Sequence, residues 1–320
     1  MASNLNTGKP LTPASRSESA RRLTYILFGN RFHPGLIKQV VSYVLLFVLT
    51  ALFLLPFYWL VNTALKSGDL VYTIPPTWLP NPPIWRNFID AATRSYVGSQ
   101  SSGMQVPPMV RYALNTSLIT LNGVVATLLS SSLVAYAFAR LRFPGKNFLF
   151  LGILSTLMIP FAVVMVPQYI LWTKIGWIDT FLPLMIPQWF GSAYNIFLLR
   201  QFFMSIPMDY DELAIIDGAT HWDIFWKIII PLSRPALAAV GVFAFVFFWN
   251  DFLGPLIILS SPEKFTLTMY LTNFRMPQQT VTPYNLYMAA ALMITLPCLI
   301  LFFFSQNIFM KGITIVDFKR

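Results

Sequence analysis

The chain has 320 residues, of which 56% are hydrophobic and 16% aromatic while only 11% are charged, and its mean hydropathy is +0.62. That balance exceeds the apolar share of a soluble domain and selects a polytopic membrane protein as the first class to test. The net charge of +10 then belongs to loops whose Lys and Arg hold topology, and a nucleic-acid surface is set aside.

In chain order, the start (MASNLNTGKPLTPASRSESARR) is polar and basic with no apolar core until about Val40. A cleavable signal peptide is therefore not expected, and the first apolar run should stay as an anchor. Crossing about 30 Å of hydrocarbon takes roughly twenty residues. Six runs meet that length, at roughly 41–64, 113–138, 148–171, 182–203, 236–260 and 286–310. Pro160 and Pro167 fall in the third, Pro183, Pro187 and Gly191 interrupt the fourth, and Pro297 lies in the sixth. Membrane helices tolerate such breaks where neighbouring helices satisfy the freed backbone groups.

Orientation follows the flanking cations. With the N-terminus inside, that side holds Lys9, Arg16, Arg21, Arg22, Arg31 and Lys38, then Arg140, Arg142 and Lys146, then Arg200, Lys227 and Arg234, then Lys311, Lys319 and Arg320. The opposite side holds only Lys66, Arg86, Arg94, Arg111, Lys174, Lys264 and Arg275, so both ends are expected inside. The first outer loop, 66–111, contains IPPTWLPNPPIW and GSQSSG, which reads as an ordered but irregular cap or linker. Its simplest role is a solvent-exposed connector, with a contact surface for an external partner as the other reading. No internal repeat supports an inverted-repeat secondary transporter.

Between the fourth and fifth runs lies DELAIIDGATHWDIFWKIIIPL, with Asp209 just upstream, which gathers many of the chain's few acids. Ser205 and Pro207 sit where a cap and first turn would be, and Asp209, Asp211 and Glu212 follow where the helix dipole favours acids. Tyr210, Leu213 and Ile216 form an apolar stripe, and Gly218 suits the left-handed end of a helix. Thr220 and Asp223 make a capping-box start for a second helix that Pro231 ends, with Trp222, Phe225, Trp226 and Ile229 on one side of it. Residue chemistry alone admits two readings of this helix, glycine elbow and helix. One is a handle held out to a soluble cytoplasmic partner; the other is an amphipathic helix lying in the interface, although such helices prefer Lys and Arg on their polar face.

The loop SIPMDYDELAIIDGATHWDIFWKIIIPLSRPAL resembles the cytoplasmic loop of ATP-binding-cassette importer permeases, with Glu212, Ala214, Gly218 and Pro231 on the pattern and Leu213 in place of an alanine. FLLPFYWLVNTALKS, SSSLVAYAFARLRFPGKN, MIPFAVVMVPQYILWTKIGWIDT, FLLRQFFMSIP and WNDFLGPLIILSSPEKFTL are similar, in order, to the shorter six-span subunit of maltose-type carbohydrate permeases. The resemblance runs from about Val41 to the C-terminus. It implies an all-α integral membrane protein of six transmembrane helices with N- and C-termini cytoplasmic. Its parts are a cytoplasmic N-terminal segment, 1–40, a transmembrane permease domain, 41–310, with a coupling loop at about 205–232, and a cytoplasmic tail, 311–320. It further implies a bacterial plasma (inner) membrane location, a second homologous permease chain, a cytoplasmic ATPase dimer that consumes ATP, and an extracytoplasmic solute-binding protein. Glu212 would anchor to the ATPase by charge, Ala214 would allow close approach and Gly218 would supply the bend, while Asp217 and Asp223 either touch that partner or cap the helices. The tail MKGITIVDFKR corresponds to one that reaches the ATPase dimer, though it differs in detail.

Asp251, in FFWNDFLGPL, is the one acid inside an apolar run, where a charge is costly and should face water or a partner. Trp249, Asn250 and Asp251 together would suit a sugar, through polar pairing to hydroxyls and stacking on the ring, with Asn115 as a further pathway candidate. Asn122, Asn195, Tyr194 and Gln188 rank below them, since polar residues also glue membrane helices together. Cys298 is the single cysteine, so no intrachain disulfide forms, and it reads as a packing residue. His33 and His221 are the two histidines and lie far apart, which argues against a metal site. No phosphate-binding Gly-x-x-x-x-Gly-Lys-Ser/Thr motif occurs, no catalytic grouping presents itself, and the chain is expected to bind no cofactor and to be no enzyme. An ion-coupled secondary transporter is the alternative, with only Asp251 to offer as an intramembrane charge; a membrane-embedded enzyme ranks third.

Overall fold

The computed structural model describes residues 35–94, 107–272, 274 and 282–314, of which 307–314 are described as helix backbone. The expectations placed on Lys9 to Arg31, His33, GSQSSG, Arg275, Lys319 and Arg320 lie outside the described residues. Among those described there is no β-strand. The chain divides into two units, Met1–Asn62 and Thr63–Arg320.

The first unit holds most of α1, Leu36–Ala64, a helix whose apolar side chains face outward all round. A helix apolar on every side is a membrane span rather than a surface helix.

The second unit opens with two short helices, α2 (Gly68–Val71) and α3 (Arg86–Thr93). The loop expected over 66–111 is irregular and held by hydrogen bonds in its described part, up to Arg94. Asn87 Nδ2 donates to the carbonyls of Ala64 (2.8 Å) and Lys66 (2.7 Å), Lys66 Nζ donates to Thr77 O, and Tyr270 Oη donates to Ala91 O at 2.6 Å.

The long helix α4, Pro108–Arg140, is the axis of this unit. The third expected span is two helices, α5 (Lys146–Thr156) and α6 (Phe161–Lys174), bent by 93°. Pro160 sits at the break, where it offers no backbone donor to continue the ladder. The fourth is likewise divided into α7 (Leu182–Met185), a 3₁₀ turn (Ile186–Phe190) and α8 (Ala193–Ser205), with Gly191 at φ +88° between them. Helix α9 (Asp209–Ile216) and α10 (His221–Leu232) follow, then α11 (Arg234–Trp249) at 78° to α10. The fifth run ends in a separate helix, α12 (Leu253–Ile258), before α13 (Leu267–Thr272) and the long α14 (Tyr284–Thr314). Only the first, second and sixth expected spans are therefore single continuous helices.

Helix α4 packs against α8, α11 and the 3₁₀ turn, and α11 against α14. Small residues make this possible. Thr116, Thr120, Gly123, Ala126, Thr127, Ser131, Ser132 and Ala135 are all buried along α4, and small side chains let membrane helices approach closely where lipid supplies no hydrophobic drive. Two cores result. One joins Tyr112, Trp249, Tyr270, Ala289 and Ile294; the other joins Tyr136, Leu199, Phe203, Ile224, Phe225, Ile229 and Val240 at the loop end of α4.

Candidate functional site

The acidic stretch folds as helix, glycine and helix. Asp209, Asp211 and Glu212 occupy the first turn of α9, where unpaired N–H groups favour anions. The helix ends in a Schellman motif: Ala219 N–H donates to Ala214 O (2.9 Å) and Gly218 N–H to Ile215 O (3.0 Å), with Gly218 at φ +85°. Open space surrounds the position a Gly218 Cβ would take, so the left-handed backbone alone demands glycine. Thr220 caps α10 as a capping box. Asp223 N–H donates to Thr220 Oγ1 at 3.2 Å, and Thr220 N–H to Asp223 Oδ2 at 3.1 Å. Lys227 Nζ adds a 2.6 Å bond, and these contacts, that of Lys227 first, hold the Asp223 carboxyl down at about 2. Asp223 is thus a cap. Asp217 ends α9 and is exposed, as is Glu212.

Around Phe225–Ile229 the second helix widens into a π turn, closed by Ile230 N–H to Phe225 O. Pro231, one residue on, lacks the N–H that an α ladder would need, and the wider register accommodates it. The chain then turns at the buried Ser233, whose N–H reaches Ile229 O at 2.9 Å.

Three expectations for this loop are corrected. Ser205 is the last residue of α8, its hydroxyl donating to Phe202 O (2.7 Å), and α9 starts only at Asp209, so Ser205 and Pro207 are not its cap and first turn. Of the four bulky residues placed on one side of α10, Trp222 and Trp226 are exposed but Phe225 and Ile229 are buried against α4 and α8. The outer ridge consists instead of Tyr210, Leu213, Ile216, Trp222 and Trp226; Ile216 is 80% exposed. Asp211 is not on the acidic surface: it points inward and is buried.

What meets it is Arg140, the last residue of α4. Arg140 Nε lies 3.6 Å from Asp211 Oδ2, and the two side chains are 2% and 8% exposed. The guanidinium also donates to Ile206 O (2.9 Å) and to Met208 Sδ (2.6 Å), so it grips the whole entry to α9. Burial pushes the Asp211 carboxyl up, opposed by the charges of Arg140 and then His221. Next to it, Tyr136 Oη donates to His221 O at 3.1 Å, fastening the start of α10 to the same helix. Sequence reading counted Arg140 only among the topology-setting cations. A pair so distant along the chain leaves no local spacing by which it could be found.

The expected pathway residues do not come together as one polar wall. Trp249 is buried, stacked on Phe245 at 5.3 Å, and its indole N–H donates to Ile294 O at 3.0 Å, so it ties α11 to α14 and offers no ring to a solute. Asn115 spends its amide on the carbonyls of Glu263 (2.9 Å) and Phe265 (3.0 Å). Asn250 donates to Val246 O, and Asp251 Oδ1 accepts from Gly254 N–H at 3.1 Å, the geometry of a turn capping α12.

Residues ranked lower do assemble. Gln188, Tyr194 and Asn195 line a cavity of about 300 Å³ with Ser192, Thr127, Phe243, Phe247 and Phe248. Its wall is the non-helical stretch around Gly191, the backbone irregularity that membranes admit where protein or a cavity receives it. Helix α4 holds that stretch: Asn122 Nδ2 donates to Met185 O (3.1 Å), Ser130 Oγ to Gln188 O (3.2 Å), and Ser192 N–H to Ser131 Oγ (3.2 Å). Asn195 Oδ1 is buried with no hydrogen-bond partner. Among the described residues no group of His, Cys, Asp or Glu could hold a metal ion.

Residues 123–315 match the family described as binding-protein-dependent transport system inner membrane component. The chain is 37% identical over 205 residues to an arabinooligosaccharides transport system permease protein of Halalkalibacterium halodurans, covering 64% of this chain and 72% of that one. It is 30% identical over 275 residues to an sn-glycerol-3-phosphate transport system permease protein of Yersinia pestis, covering 86% and 95%. A diacetylchitobiose uptake system permease protein of Streptomyces coelicolor is 27% identical over 82% of this chain and 83% of its own. In fold, the chain is similar to a bacterial ABC transporter involved in the import of the acidic polysaccharide alginate, with TM-score 0.72 and 24% identity over 85% of this chain and 96% of that one. With its apolar helices and its match over residues 123–315, the chain belongs to the family of inner membrane components of binding-protein-dependent transport systems, and it is a multi-pass permease.

Proposed function

We propose that this chain is the shorter, six-span permease subunit of an ATP-driven importer for a sugar or oligosaccharide, in the bacterial plasma membrane with both termini cytoplasmic. It supplies half of the translocation path, and a second homologous permease chain supplies the other half. A cytoplasmic ATPase dimer consumes ATP, and an extracytoplasmic binding protein delivers the solute. The chain itself carries no ATPase site and binds no cofactor.

The observation that carries this reading is the loop: an exposed apolar ridge and exposed Glu212, set on two capped helices whose inner face is fixed to the end of α4. In this role the ridge seats in a cleft of the ATPase, Glu212 pairs with a cation there, Ala214 permits close approach, and Gly218 holds the elbow. Closure of the ATPase dimer then moves packed helices as bodies. The carbohydrate assignment draws on the names of the arabinooligosaccharide and diacetylchitobiose relatives. It also draws on the cavity lined by Gln188, Tyr194 and Asn195, whose amide and aromatic groups are the kind that pair with hydroxyls and stack on a sugar ring.

Co-purification tests it. A stable complex with a second permease and an ATPase, taking up oligosaccharide into proteoliposomes only with ATP and binding protein, is the expected outcome. An isolated chain that accumulates solute on an ion gradient would overturn it.

A further inference from the structure

We propose that Arg140 and Asp211 are a transmission joint: positioning residues through which movement of the loop enters α4 and, along it, the cavity wall. The inference rests on the ATPase-coupled reading above. Its first support is the geometry of the pair. Two charges are buried together at 3.6 Å, beyond hydrogen-bond reach, and neither Asp211 Oδ1 nor Arg140 Nε has a hydrogen-bond partner. So loose a buried pair is a poor stabiliser, because desolvation offsets most of its attraction and an apolar pair of equal volume would hold the fold as well.

The second support is position. Arg140 sits in the last turn of α4 and Asp211 in the first turn of α9, so each charge faces the helix end that favours it. The pair therefore links two helix ends of opposite polarity, one belonging to the loop and one to the axis of the fold. Beyond the joint, Ser131, Ser130 and Asn122 of the same helix hold the backbone of Ser192, Gln188 and Met185, and the first two of these line the cavity. One unbroken helix thus has the loop at one end and the cavity wall along its length. Arg140 also donates to Ile206 O at 2.9 Å, a bond to a backbone carbonyl in which the Asp211 carboxylate takes no part.

The test uses the assembled transporter in proteoliposomes. Phe247→Cys in a Cys298→Ser background places a thiol in the cavity, read by its labelling rate with a membrane-impermeant maleimide, with and without ATP and vanadate. In the parent, ATP changes that rate. In Asp211→Asn the ATPase still co-purifies, and the fraction of molecules whose cavity thiol responds to ATP falls about fivefold or more, the span of a coupling free energy between sites. The double variant Arg140→Met with Asp211→Leu keeps the side-chain volume and removes both charges, together with the Arg140 bonds to Ile206 O and Met208 Sδ; it is expected to assemble and to stay unresponsive. An undiminished response in Asp211→Asn, or a restored one in the apolar double variant, would overturn the joint. If Asp211→Asn does not assemble, the double variant decides alone. Failure of the parent complex to retain any ATPase would count against the functional reading, which keeps the two apart.

Discussion

Gly123 of α4 lies under the ring of Phe248 of α11: a Cβ built on the glycine would stand 2.5 Å from the ring. This is a closer approach than any side chain allows, and it sets how tightly the two helices meet. Phe248 also lines the cavity, so the contact links helix packing to the shape of the candidate site.

Gly123→Leu is expected to destabilise the detergent-solubilised protein by about 1–3 kcal/mol, the usual cost of overpacking a tight core. Phe248→Ala in the same chain should recover part of the loss by vacating the space. Thermal unfolding of the two variants reads both effects, and an unchanged midpoint for Gly123→Leu would contradict the close approach.

At Gly218, proline requires φ near −65° where the chain has +85°, and it removes the N–H that bonds Ile215 O. Gly218→Pro and Gly218→Asp are expected to abolish uptake while leaving the protein in the membrane at wild-type level. Gly218→Ala meets no neighbouring atom and bears only the left-handed strain of about 1–2 kcal/mol, so it should retain part of the activity. Wild-type ATP-coupled uptake in the proline variant would sink the assignment of the elbow.

The capping box gives a pH dependence with a definite sign. Asp223 is held at about 2 in the folded chain against an ordinary 3.8. Its contribution is complete above pH 4 and is lost as pH falls from there towards 2. Asp179 acts in the same direction: burial would raise it, but hydrogen bonds from Ser261, Ser260 and Lys264 outweigh that and hold it low. Asp223→Asn should therefore be less stable than the parent at pH 7, with the gap closing on acidification. A gap that widened at low pH would reverse the assignment.

For the cavity, Asn195→Ala and Tyr194→Ala are expected to lower oligosaccharide uptake about tenfold while the ATPase stays bound, the scale of one lost hydrogen bond or ring contact. Trp249→Phe, which removes only the N–H bonded to Ile294 O, should cost stability rather than change solute preference. Uptake across arabino-, chito- and malto-oligosaccharides separates the outcomes, and solute preference altered by Trp249→Phe but not by Asn195→Ala would restore the original ranking.

What the sequence determined by itself was whatever a few neighbouring residues settle. Apolar runs must leave water, which located the long apolar helices α1, α4 and α14. Gly218 and the Thr220–Asp223 box are local solutions to helix ends, legible because caps act across three or four residues. What only the tertiary structure decided was which groups face one another. The turn of α10 that buries Phe225 and Ile229 and the meeting of Arg140 with Asp211 depend on where α4 runs, and the commitment of Trp249 to Ile294 on how α11 meets α14. An acid in the first turn of a helix looks the same in sequence whether solvent or a buried arginine receives it. The difference lies in the neighbour, and chain spacing carries no record of a neighbour brought in by folding.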